Sequence, residues 1–219
     1  SVNCRLNLSL MQTAAKAESY EGALAPWTSV YENCPGSSKN IYIYGPRIFT
    51  ALYEKETDAA KKKEYLDKTM EIYDTRLKYF GEEDAAGTIL ALKTYTYMEL
   101  MGDQADQNVI YSWLSEAVND MKDQMYPLDA YSYLMISSLT RYLNDNSLKD
   151  EYITDYFNVV GYVDQAIANS ADNQANADYL GTVKDGIVQG FVNSGAGDCK
   201  TLTEYYADKV EPNKTNKDM

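Results

Sequence analysis

Apolar side chains recur along this chain at the spacing of a helical face. Leu66, Met70, Tyr73, Leu77 and Phe80 are separated by four, three, four and three positions, which places five large groups on one stripe. Ile110, Leu114, Val118, Met121 and Met125 repeat the pattern, as do Leu148, Tyr152, Tyr156, Val159, Val163 and Ile167. Tyr131, Met135, Leu139 and Tyr142 form a further stripe after Pro127, which fits the first turn of a helix because no intrahelical donor is needed there. Ser147 is the expected N-cap of the segment that begins at Leu148. Strict alternation of the kind a half-buried strand shows is almost absent. Between the stripes lie short polar breaks, "GDQAD", "YPLD", "NDNS" and "NSADN", of the length that turns one helix back on its neighbour. The pattern predicts about ten helices in an all-α chain built from antiparallel hairpins.

Near the start, Ala23 is followed by Trp27, Val30 and then Pro35, with a predicted helix at about residues 3–17 and "SYEG" ahead of them. This order of small, aromatic, medium and stop resembles the second helix of a tetratricopeptide repeat, whose small residue lets two helices approach closely. The resemblance covers residues 4–35 and implies hairpins stacked as an α-solenoid. In the next unit Gly45 stands where two helices should pass close together, while "KETDAAKKKE" reads as an insertion that lengthens the following turn. Residues 1–80 are the most repeat-like part of what reads as a single helical-repeat domain over 1–219, with more divergent hairpins over 81–219. Pro26 and Pro46 fall inside predicted helices, where kinks are expected, with Gly22 and Gly45 nearby to give the backbone room.

A second resemblance rests on "NCRLNLSL" together with "PWTSVYENCPGSSKNIYIYG", which is similar to the N-terminal region of secreted, repeat-containing proteins of Gram-negative gut and oral anaerobes. It implies removal of a signal peptide and a periplasmic or outer-membrane-associated location. "GAGDCKTLTEYYADKVEPN" looks like a later repeat of the same family, so the natural chain is expected to continue beyond residue 219.

Composition agrees with helices: 12 glycines and 5 prolines leave few breakers, and 21 tyrosines supply rings to pack between them. The 33 acidic and 20 basic side chains give a formal charge of −13, which repels nucleic acid and anionic lipid. "KKKE" at 61–64 is the one basic run and reads as a solvated helix face. No stretch approaches the roughly 18–20 apolar residues of a membrane-spanning helix.

Catalytic chemistry finds little support. Histidine is absent, which removes the commonest general base and zinc ligand, so no enzyme activity, cofactor or metal is expected. The carboxylates of "EED" (82–84), "DNSLKDE" (145–151) and "DN" (172–173) read as charges at helix starts, where the macrodipole favours them. "NSGAGD" (193–198) lacks the lysine and the preceding strand of a phosphate loop and reads as an interhelical turn.

Of three cysteines, Cys4 and Cys34 fall at the adjacent ends of the first hairpin and are expected to form a disulfide, with two buried thiols as the alternative. Cys199 is left over, its partner expected downstream. The expected role is a scaffold for a protein or peptide partner, bound in the groove that the first helices of successive pairs line. With the register set by Ala23, Trp27 and Pro35, the inward positions are Arg5, Leu8, Gln12 and Lys16, then Lys39, Tyr42 and Phe49, a basic and apolar set suited to an extended peptide carrying carboxylates. Stacking of sugars on exposed tyrosine and tryptophan rings is the alternative. Clustered solvent-facing rings would favour glycan, and a mixed polar face would favour peptide.

Overall fold

The computed structural model describes residues 3–200, together with 202, 203 and 207. Among the described residues there is no strand, and nine α-helices follow one another: α1 (Cys4–Lys16), α2 (Tyr20–Asn33), α3 (Asn40–Lys55), α4 (Ala59–Asp84), α5 (Ala86–Met101), α6 (Gln107–Met121), α7 (Ala130–Asn144), α8 (Lys149–Asn169) and α9 (Gln174–Ser194). Short 3-10 turns occupy Gly102–Gln104, Lys122–Gln124 and Asn146–Leu148. Each helix packs on the next within its unit, as the hairpin pattern requires. By its contacts the chain divides into two compact units, Ser1–Ala105 and Asp106–Met219.

In the first unit α1 packs antiparallel on α2 and α3 on α4, and α3 also neighbours both α1 and α5. Its core is built around Trp27, with Met11, Ala23, Val30, Ile41, Tyr42, Ile48 and Ile72 all buried. Ala23 and Val30 are fully buried beside that indole, as the repeat-like spacing required. The Trp27 ring stacks on Tyr31 with centroids 4.6 Å apart and meets Phe49 edge-on at 5.0 Å. Its N–H donates to the Ile41 carbonyl at 2.8 Å. Gly45 faces the same indole, so the close approach of α2 and α3 depends on the missing side chain. Pro26 lies inside α2 and Pro46 inside α3. Cys4 and Cys34 form a disulfide across the first hairpin, with Cα atoms 6.1 Å apart. Cys199 is exposed.

In the second unit α6 packs on α7, α7 on α8 and α9, and α8 on α9. Ile110, Leu114, Val118, Tyr131, Tyr152, Val159 and Val163 are buried, so each stripe supplies core. Tyr142 and Tyr156 of the same stripes are half-buried.

Four local expectations are corrected. "KETDAAKKKE" does not lengthen a turn: residues 56–58 make a three-residue connection and Ala59 onward is helix, with Asp58 as N-cap to Lys61 N–H. Ala59 to Glu64 form the first turns of α4, which runs for 26 residues. Pro127 lies three residues ahead of α7, not in its first turn. Asp145 accepts from the Ser147 N–H, so the acid caps the approach to α8 and Ser147 does not. Finally, "EED" ends α4 instead of starting a helix, because only Ala85, at φ +62°, separates α4 from α5. The charges of 145–151 and 172–173 do lie at the starts of α8 and α9, where Asn173 accepts from Asn176 N–H.

Candidate functional site

The first unit holds a cleft of about 620 Å³ between α3 and α5. Helix α3 contributes Ile43, Arg47, Thr50 and Glu54, spaced four, three and four apart and therefore on one face. Helix α5 contributes Leu92, Thr96 and Glu99 by the same rule. The buried side chains of Tyr42, Pro46 and Tyr73 line its inner part, and Tyr20 and Arg76 also border it. The Tyr53 hydroxyl donates to the Leu100 carbonyl at 2.8 Å, which brings the C-terminal ends of α3 and α5 together. Glu54 and Glu99, each one residue from that bond, therefore share one end of the cleft.

The base of the cleft is held by polar contacts. Tyr73 and Thr96 share a hydroxyl–hydroxyl hydrogen bond at 2.8 Å, and burial pushes the Tyr73 phenol up. Arg76 donates from Nε and from a terminal nitrogen to one Asp84 oxygen at 3.0 and 2.8 Å. Lys39 donates to the other Asp84 oxygen and lies 3.3 Å from Glu83. Burial acts to raise the Asp84 carboxyl, but the hydrogen bonds from Lys39 and Arg76 outweigh it and hold the group below the ordinary carboxylate value. The hydrogen bond to Asp84 leads the causes that raise the Lys39 ammonium.

Arg76 is thus neutralised, and the free charges of the cleft are Arg47, Glu54 and Glu99. All three are exposed, and none forms an ion pair among the described residues. The Arg47 guanidinium stands 5.4 Å from the centroid of the Tyr44 ring.

The structure separates the residues expected to line a groove. Tyr42 and Phe49 are core, at 1% and 7% exposure, and the Tyr42 hydroxyl donates to the Pro35 carbonyl at 2.9 Å. Phe49 lies against Trp27, so neither ring presents a free face to a ligand at its expected position, although the Tyr42 side chain reaches the inner wall of the cleft. Lys39 is taken up by Asp84 and Glu83. On α1, Arg5 and Lys16 are exposed and Leu8 and Gln12 half-buried, with Leu8 packed against the core; none of the four borders this cleft. The physical reason on α3 is register. Ile43, Arg47, Thr50 and Glu54 stand one position on from Tyr42 and Phe49, a rotation of roughly 100° around the helix.

Sequence reasoning also missed a polar cluster in the second unit. Asp155 of α8 accepts from Ser138 of α7 at 2.6 Å and from the Tyr111 hydroxyl of α6 at 3.3 Å. Arg141 lies 3.8 Å from the Tyr111 ring centroid, pairs with Glu151, and donates to Asn108 at 2.9 Å. Burial raises the Asp155 carboxyl against the pull of its two hydroxyl donors. The cluster ties three helices together. No periodicity signals it, because its members are single polar residues on otherwise apolar faces.

Among the described residues no group of three or more cysteines or acids is placed to hold a metal ion, and no helix is long and apolar enough to cross a membrane. Among the described residues the solvent-facing tyrosines, Tyr79, Tyr126 and Tyr179, belong to separate segments and line none of the α3–α5 cleft, whose exposed face is mixed and polar. The chain matches no protein-family model, no curated protein and no solved structure.

Proposed function

We propose that this chain is a binding protein of the cell envelope, without catalytic activity, which holds an extended peptide segment of a partner protein in the α3–α5 cleft. The observation that carries the reading is the cleft itself, walled by two neighbouring helices that face it with apolar, hydroxyl and unpaired charged side chains in alternation. Such a surface offers pockets and hydrogen bonds along a line, which suits an extended chain. The mixed polar face favours peptide over glycan, since stacked sugars need clustered exposed rings. Assignment to the repeat-containing envelope proteins of Gram-negative anaerobes follows from the N-terminal resemblance. The disulfide supports an extracytoplasmic site, because such bonds persist where the surroundings are oxidising.

Panning a random dodecapeptide library on the intact chain tests the reading. Peptides that bind the native protein and lose binding to Thr50→Trp, which fills the cleft, support it, provided helicity is unchanged. Enriched peptides indifferent to Thr50→Trp, and to Ile43→Trp at the exposed end of the same wall, would place the working surface elsewhere.

A further inference from the structure

We infer that the cleft selects an extended peptide carrying a cationic side chain and a carboxylate three residues apart, an inference that rests on its reading as a peptide site. The free charges are arranged by sign along the cleft. Glu54 and Glu99 stand together at the end where α3 and α5 finish, and Arg47 stands on the same face of α3 seven residues before Glu54. At the helical rise of 1.5 Å per residue the two positions on α3 lie roughly 10 Å apart along the axis.

The acidic end is acidic twice over. The last carbonyls of a helix carry partial negative charge, and the cleft meets the C-terminal turns of α3, which ends at Lys55, and α5, which ends at Met101. Lys55, next to Glu54 in the chain, and Lys62, which meets Tyr53, are both engaged. Lys55 reaches Glu21 at 3.6 Å, and Lys62 sits 4.5 Å from the Tyr53 ring centroid; neither borders the cleft. At the other pole Arg76 is committed to Asp84, which leaves Arg47 as the guanidinium available to a ligand carboxylate. A guanidinium binds a carboxylate in fork geometry, and a pair of carboxylates accepts the several donors of a lysine or arginine head.

A ligand that satisfies both poles must span the roughly 10 Å between them. In polyproline II conformation residues three apart project from one side of the chain and lie about 9 Å apart. The apolar and hydroxyl groups between the poles, Thr50, Thr96 and Leu92, then face the two intervening residues. The charge rule is indifferent to chain direction, so both orders of basic and acidic residue fit.

The test uses acetylated, amidated dodecapeptides of alanine and proline that carry one lysine and one glutamate at separations of one, three or six residues. Their composition and net charge are identical. Binding to the intact chain, measured by fluorescence anisotropy, should be roughly fivefold tighter for separation three than for the others, the ratio that about 1 kcal/mol of partly exposed ion pairing gives. Arg47→Glu should shift the preference to an additional peptide of the same backbone in which a second lysine replaces the glutamate at separation three. Arg47 is exposed, so the variant is expected to fold, and Arg47→Gln should abolish the spacing preference without the shift. Binding that is blocked by Thr50→Trp yet indifferent to spacing would overturn this inference and leave the peptide site standing. If none of the peptides binds, or if binding ignores both Thr50→Trp and Ile43→Trp, the site and the charge rule fall together.

Discussion

Replacing Gly45 by alanine should destabilise the first unit, although glycine-to-alanine changes within helices usually stabilise. A Cβ at this position would lie 2.9 Å from Trp27 Nε1, 3.0 Å from Cζ2 and 3.1 Å from Cε2, closer than packed carbon atoms stand. The indole has nowhere to go. It is 1% exposed, it is stacked against Tyr31 and Phe49, and its N–H is spent on the Ile41 carbonyl at 2.8 Å. Moving the ring breaks a buried hydrogen bond, which costs about 1–3 kcal/mol, and moving α3 away opens the core instead. The new methyl also meets Pro46, since a side chain before proline is disfavoured in helical conformation. Against these stands a helix-propensity gain of roughly 0.5–1 kcal/mol. The expected net loss is about 1–2 kcal/mol.

Gly81→Ala is the matched control, because its Cβ would meet nothing within 4 Å in α4 of the same unit. It should gain about 0.5–1 kcal/mol. Urea unfolding followed by tryptophan fluorescence reads both changes in a Trp113→Phe background, where Trp27 is the remaining tryptophan. If Gly45→Ala proves as stable as Gly81→Ala, the indole yields freely and the close approach of α2 and α3 is not what requires glycine.

Thiol titration of the denatured, unreduced protein should find one reactive cysteine, Cys199, and three would refute the bridge; replacing Cys4 and Cys34 by serine should cost roughly 3–4 kcal/mol of stability, measured by urea unfolding. The folded Asp84 carboxyl titrates below its unfolded value, so its stabilisation is complete above the ordinary carboxylate pKa of about 3.9 and is lost as pH falls through the folded value. Asp84→Asn should therefore lower the unfolding midpoint at pH 7 and converge with the native protein in strong acid; an undiminished gap at pH 2 would contradict this. Lys122, at φ 52° and ψ −120°, repeats the backbone of Gly102, at φ 51° and ψ −129°, after the same kind of helix end. Lys122→Gly relieves that strain and should raise stability by about 1 kcal/mol, and a loss on thermal unfolding would refute it.

Helix content was legible because the stripes at 66–80, 110–125, 131–142 and 148–167 keep a helical period and the polar breaks between them are short. The Cys4–Cys34 bridge was legible for the same reason, since hairpin geometry brings opposite ends of two helices together. The helix end at Asp84 was not. Its stop is Ala85 at positive φ, a position where glycine is the usual signal and alanine gives none. The groove was expected between α1 and α3, on Arg5, Leu8, Gln12, Lys16, Lys39, Tyr42 and Phe49; the cleft lies between α3 and α5, and of that set only Tyr42 borders it. The register on α3 was counted around Gly45, whose bare face belongs to Trp27 and the core, and the surface facing α5 begins at the neighbouring positions Ile43 and Arg47. A shift of one residue along a helix exchanges core for solvent: Tyr42 and Phe49 are buried, while Ile43 is exposed and Thr50 half-buried.

Carboxylates stand at the C-terminal ends of α3, α4 and α5, and the chain treats them differently. A carboxylate there opposes the negative end of the macrodipole, and lysine or arginine would relieve it. At the end of α4 the chain supplies that relief itself, with Arg76 and Lys39 both donating to Asp84. At the joined ends of α3 and α5, Glu54 and Glu99 have no such answer among the described residues, while Arg47 stands unpaired on the same cleft wall. Both glutamates are exposed and solvated, unlike the Asp84 side chain at 13% exposure, and their lack of a partner leaves them available to a ligand. A ligand that brings a cation to one pole and a carboxylate to the other would complete the arrangement, and the proposal of a binding site rests on these unpaired charges more than on the volume of the cleft.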